Sequence, residues 1–118
     1  MSDLAQATER YLASLARENA SPHTLRNYQT DLAQFIEYFS PPDTDPPPPD
    51  RIDSLALREW LGALYDRGLS VITIRRKLAA VRSLFAFMLR EGTVRTNTAR
   101  LVRTPKAPKR VPLVPTAE

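Results

Sequence analysis

The sequence predicts an all-α protein, a small bundle of four to five helices. Three observations carry that expectation. The chain has only 3 glycines and few runs of alternating apolar and polar residues, which argues against a sheet. Its 11 prolines are bunched: six fall within residues 41–49, four within 105–115, and Pro22 alone stands elsewhere. Proline therefore punctuates the chain and leaves long segments free to be helical. Between these marks, apolar residues recur at helical spacing next to capping signals.

The first helix is expected from Ser2, an N-cap, to about residue 18, with Leu4, Tyr11 and Leu15 as its apolar stripe and Thr8 in the same column. The second opens on Ser21-Pro22, a cap followed by proline at the first helical position. Leu25, Tyr28, Leu32, Phe35, Ile36 and Phe39 form its stripe, and Pro41 ends it. Residues 41–50 read as a polar, proline-rich loop, extended and partly mobile. The third helix starts near Asp53, carries Leu57, Trp60, Leu61 and Leu64, and stops at Gly68. The fourth is capped by Ser70, carries Ile74, Leu78, Val81, Phe85 and Met88, and stops at Gly92. A short fifth helix is expected over residues 97–102, followed by a proline-spaced linker over 104–118.

Length and composition bound the function. A chain of 118 residues that is 42% hydrophobic can bury one small core, so it is one domain or one domain plus a tail. The absence of cysteine excludes disulfides, thiolate metal sites and cysteine nucleophiles. No run approaches the ~20 apolar residues of a membrane span, and MSDLAQATER lacks the pattern of a secretory signal. The expectation is a soluble cytoplasmic protein.

Charge is strongly segregated. Residues 1–69 hold 6 Lys/Arg and 11 Asp/Glu, a formal −5. Residues 70–110 hold 11 Lys/Arg and one acid, Glu91, a formal +10. Glu118 closes the total at +4. Such a basic block usually meets a polyanion, and the commonest inside a cell is nucleic acid.

No active site is legible. There is no phosphate-binding glycine loop, no metal-ligand cluster and no nucleophile beside a base, and His23 is the only histidine. His23 reads either as an exposed first-turn residue or as a phosphate or base contact. On the fourth helix, steps of about 100° place Arg75, Ala79, Arg82 and Ala86 in one column, with Arg76, Ser83 and Arg90 in the next and Lys77 in the same basic run. Long cations alternating with small residues let a helix approach a DNA groove while guanidinium groups reach phosphates or guanine edges. The other reading is a solvated basic face. An apolar opposite face, the lack of acids in the column, and continuation of the run through Arg95, Arg100, Arg103, Lys106, Lys109 and Arg110 favour DNA. On the second helix, His23, Arg26, Asn27 and Thr30 share a face, and acids begin only at Asp31. The aromatic residues Tyr11, Tyr28, Phe35, Phe39, Trp60 and Phe85 fall mostly at core positions, while Phe87 lies off the stripe, where it would cover the fifth segment or a partner subunit.

Three segments resemble the tyrosine recombinases, the phage integrase family. SPHTLRNYQTDLAQFIEYF is similar to their S-x-x-T-L-x-x-Y-x-x-D-L-x-x-F helix. SVITIRRKLAAVRSLFAFML resembles their S-x-x-[ST]-[IL]-x-R-x-L-[SA]-A-[LV]-R helix, and TNTARLVRTPKAPKRVPLV their N-P-A exit segment, with Thr98 where the family commonly has proline. The segments occur in the family's order and cover almost the whole chain. The resemblance is closest to the Xer branch.

The resemblance implies that residues 1–103 are a SAM-like core-binding domain, half of a C-shaped clamp on duplex DNA, and that 104–118 begin a linker to a catalytic domain beyond Glu118. It implies Thr24, Arg26, Asn27, Arg76 and Arg82 as DNA contacts, to which the helix faces add Thr30, Arg75 and Lys77. It implies other recombinase protomers as partners in a tetramer on a short, imperfectly palindromic site, with no cofactor, no metal and no membrane. Tyr11, Tyr28, Tyr38 and Tyr65 would not be the nucleophile, which the family carries in the catalytic domain. The parent protein would cut and rejoin DNA strands, plausibly to resolve chromosome dimers. The alternatives are an integrase of a phage or mobile element, and a helical protein-interaction module with a basic docking face.

Overall fold

The structure, a computed structural model, describes residues 2–103. Its order is α1 (Asp3–Arg17), α2 (Pro22–Tyr38), a 3-10 turn (Pro49–Arg51), α3 (Ser54–Asp66), α4 (Val71–Glu91) and a second 3-10 turn (Thr98–Leu101), with no strand among the described residues.

Each helix begins where a side chain takes up an orphan N–H group. Ser2 accepts from Ala5, Ser21 from Thr24 and Ser70 from Thr73, each at 3.1 Å, and Asp53 accepts from Ala56 at 2.8 Å. Three helices end on left-handed residues, Asn19 (φ 65°), Gly68 (φ 79°) and Gly92 (φ 82°). There the chain turns back and closes the last carbonyls: Ala20 N–H donates to Leu15, Leu69 to Leu64 and Thr93 to Met88.

α4 is the central element, in contact with α1, α2, α3 and the Thr98–Leu101 turn. Ile74, Leu78, Val81, Phe85 and Met88 are buried as expected, with Ala80 and Leu84 beside them. Leu57, Trp60, Leu61 and Leu64 of α3 and Leu32 and Phe35 of α2 complete the interior. Phe35 sits at its middle, with its ring 5.0 Å from Trp60 and 6.4 Å from Phe85, both edge-on. In α1, Leu4, Thr8 and Tyr11 are buried, and the Thr8 hydroxyl donates back to Leu4 O at 2.8 Å.

Three expectations are corrected. The fifth helix is a 3-10 turn of four residues, Thr98–Leu101, too short for α-helical hydrogen bonding to propagate. The end of the proline-rich loop is built into the fold: Pro49 and Ile52 are buried, and Asp50 accepts the Arg95 N–H at 3.2 Å. Phe87, expected to cover the fifth segment or a partner subunit, packs on Tyr11 of α1, with ring centres 5.4 Å apart. The expected linker over 104–118 lies outside the described residues.

The far end of α4 is tied to α1. Arg10 Nε and Nη2 donate to the Glu91 carboxylate at 3.0–3.3 Å. The hydrogen bonds from Arg10 hold that carboxyl below its ordinary value. A carboxyl whose pKa is lower in the folded chain adds stability above its unfolded pKa, about 4.3. That contribution disappears as pH falls through the folded value. Glu91→Gln should therefore lower the Tm slightly at pH 7, because the pair is exposed, and the gap to the parent chain should close in acid. A gap that does not change from pH 7 to pH 3 would contradict this.

Candidate nucleic-acid interface

α2 and α4 begin alike. Ser21 and Ser70, besides capping, donate their hydroxyls to Thr24 and Thr73 Oγ1 at 2.9 and 3.0 Å. Neither first turn contains an acid, so the positive end of each helix dipole is left uncompensated.

Thr24, Asn27, Asp31 and Gln34 recur at steps of three and four and so lie along one side of α2. At the start of this line Asn27 Nδ2 stands 3.3 Å from His23 Nε2, with Arg26 and Thr30 exposed beside it. At its far end α2 meets α4. The Asp31 carboxylate is buried and accepts from Arg76 Nε and Nη2 at 3.1 Å and from Lys77 Nζ at 2.9 Å. Lys77 also donates to Gln34 Oε1. One carboxylate thus holds two successive cations of α4 and fixes the register of the two helices. Asp31 lies about 6 Å along the helix axis from Asn27, at 1.5 Å per residue. Arg76 therefore stands close to the polar start of α2.

The eight sequence-predicted residues divide. Thr24, Arg26, Asn27, Thr30 and Arg75 lie at the surface or half-buried, and Arg76, half exposed, bridges the two helices. Lys77 is not on the open face: only 6% exposed, it is enclosed with Asp31 and Gln34. Arg82 is not free either. Its guanidinium donates to Ala99 O at 3.1 Å and to Val102 O. Asn97 donates to Arg82 O at 3.4 Å, and Thr98 Oγ1 to Ile52 O at 2.9 Å. Arg82 thus anchors the exit segment, which carries the exposed Arg100 and Arg103. Of the continuing basic run, Lys106, Lys109 and Arg110 lie outside the described residues.

Sequence reasoning missed the inward roles of Asp31 and Gln34. An acid between Tyr28, Leu32 and Phe35 was the available signal that Asp31 points inward.

Among the described residues no group of three or more His, Asp or Glu could hold a metal. A cavity of about 660 Å³ between α3 and the second 3-10 turn is lined by Leu61, Tyr65, Leu101 and Val102 with Arg58 and Arg103, and no carboxylate lines it. Burial pushes the Tyr11 hydroxyl up from its ordinary value.

Residues 8–92 match the model of the phage integrase N-terminal SAM-like domain family. The chain belongs to this family. The matched stretch includes all of α2, α3 and α4 and most of α1, and so the whole face just described. Among curated relatives of this SAM-like domain, the tyrosine recombinase XerC of Xanthomonas campestris pv. campestris (strain B100) is 38% identical over 109 residues, covering 92% of this chain and 33% of the relative. XerC of Syntrophus aciditrophicus (strain SB) is 34% identical over 119 residues, covering 97% and 38%. XerC of Pelobacter propionicus is 39% identical over 94 residues, covering 80% and 31%. The chain spans about a third of the length of the curated relatives it matches. No solved structure matches it. No helix among the described residues is long and apolar enough to cross a membrane.

Proposed function

We propose that this SAM-like domain is the duplex-DNA-binding part of a site-specific tyrosine recombinase of the Xer type. The observation that carries this reading is the face shared by α2 and α4. Before Asp31 the second helix has no acid, Asp31 itself is buried between two cations, and α4 has none before Glu91. The surface so formed offers Arg26, Arg75 and Arg76 to phosphates and Thr24, Asn27 and Thr30 as hydrogen-bonding groups, at two uncompensated helix N-termini. Two helices held in one register by Asp31 can enter neighbouring stretches of a major groove. Lys77 and Arg82 support the face without touching DNA: the first fixes α2 against α4, the second directs Arg100 and Arg103 along the backbone.

The whole protein would cut and rejoin strands at a short, imperfectly palindromic site in the cytoplasm, as a tetramer of recombinase protomers. Resolution of chromosome dimers, and so chromosome partition at cell division, is the role that the similarity to XerC proteins supports. The chemistry would belong to a second domain.

Arg26→Ala and Arg75→Ala are each expected to weaken binding to a fluorescent duplex several-fold and to reduce its salt dependence by about one unit of slope. Arg58→Ala, on α3, should leave both unchanged. Equal effects of all three substitutions would contradict the assignment of this face.

A further inference from the structure

We propose that Ile72 reads the C5-methyl group of thymine in the major groove, which makes it a sequence-reading residue of this domain; the inference rests on the DNA-binding reading above. A single exposed apolar side chain needs no explanation in itself. The surroundings of Ile72 do. It is 79% exposed, more than any other large hydrophobic among the described residues. It lies in the first turn of α4, two residues after the Ser70 cap, in line with Arg75, Arg76 and Ala79, all of them exposed. The other exposed large apolar residues have different settings. Leu101 lines the cavity beside α3, Tyr38 packs edge-on against Phe39, Leu55 stands one turn before the acid Glu59 in α3, and Leu89 lies in the last turn of α4, far from its N-terminus.

The chemistry of the groove narrows what Ile72 can meet. Arg75 and Arg76 suit phosphates and guanine edges, and neither favours an A·T pair. One turn before them on the same side of α4 stands Ile72, apolar and β-branched, stiff at χ1 in a helix and so held in one preferred direction. The thymine methyl is the one apolar group that a base pair presents in the major groove. Ala79, one turn further on, keeps the helix surface low enough for that approach.

The test selects duplexes from a pool with a randomised central segment on the 118-residue chain. The winning duplex is then made with uracil in place of each thymine in turn, which removes one methyl and nothing else. One replacement should weaken binding by the parent chain about fourfold, the value of one buried methyl-sized group. The same replacement should leave binding by Ile72→Ala unchanged, and the two chains should have the same circular dichroism. Equal uracil penalties in both chains, or a pool in which no sequence is enriched, would overturn the role of Ile72 and leave DNA binding standing. Absence of binding to any duplex would overturn both.

Discussion

Replacing Asp31 with Ala should lower the free energy of unfolding by about 3–5 kcal/mol, the usual range for removing one partner of a buried ion pair. The size follows from who is left behind. The Asp31 side chain is 1% exposed and that of Lys77 is 8%. Without the carboxylate, the Lys77 ammonium keeps only Gln34 Oε1 as a partner, in a largely buried site. Arg76, half exposed, can turn into solvent and adds little to the loss. Urea denaturation at pH 7 measures the difference. The double variant Asp31→Val/Lys77→Met should recover most of it, because an apolar pair of nearly the same volume replaces a buried ion pair at small cost. A loss below about 1 kcal/mol for Asp31→Ala would place this cluster among ordinary surface pairs and contradict the structure.

Phe35→Ala should cost as much, about 3–5 kcal/mol, by leaving a cavity where α2, α3 and α4 meet. Phe35 is fully buried, and its ring lies 5.0 Å from both Phe39 and Trp60. Part of the loss comes from these edge-on ring contacts, each worth about 0.5–1.5 kcal/mol beyond area burial. Trp60 is the chain's only tryptophan, so its fluorescence reports directly on this junction. An emission maximum and denaturation midpoint equal to those of the parent chain would contradict the packing. For a domain stable by about 5–15 kcal/mol, either substitution can take much of the fold with it, and the binding face with the fold.

The helices were legible because their signals are local. Ser2, Ser21, Asp53 and Ser70 announce starts, Gly68 and Gly92 announce stops, the stripe of α3 was read residue for residue, and that of α4 lacked only Ala80 and Leu84 among its buried apolar residues. The buried parts of the loops were not legible. Ile52, Val94, Ala99 and Val102 join the core from segments without periodicity, where neither a three-four step nor an alternation marks the inward side. The site was half legible for the same reason. A helical wheel gives the direction of a side chain but not its partner across an interface 45 or 46 residues away in sequence. It therefore placed Arg75 and Arg76 correctly on the polar side of α4. It could not tell that Lys77 would be enclosed with Asp31, or that Arg82 would bend to the carbonyls of the exit turn.

The basic block of the sequence thus divides by position. Arg75 and Arg76 face outward, Lys77 and Arg82 hold the frame, and Arg95, Arg100 and Arg103 lie exposed along the exit. Arg26 joins the first group from the acidic half of the chain. On the DNA-binding reading proposed above, these are about six cations for phosphates.

The most direct measurement of DNA binding by this face is a fluorescence anisotropy titration of a labelled duplex with the 118-residue chain across a series of salt concentrations. With ~6 phosphates neutralised, the logarithm of affinity should fall against the logarithm of salt with a slope of about −5. Binding that does not change with salt, or no binding at low salt, would contradict it.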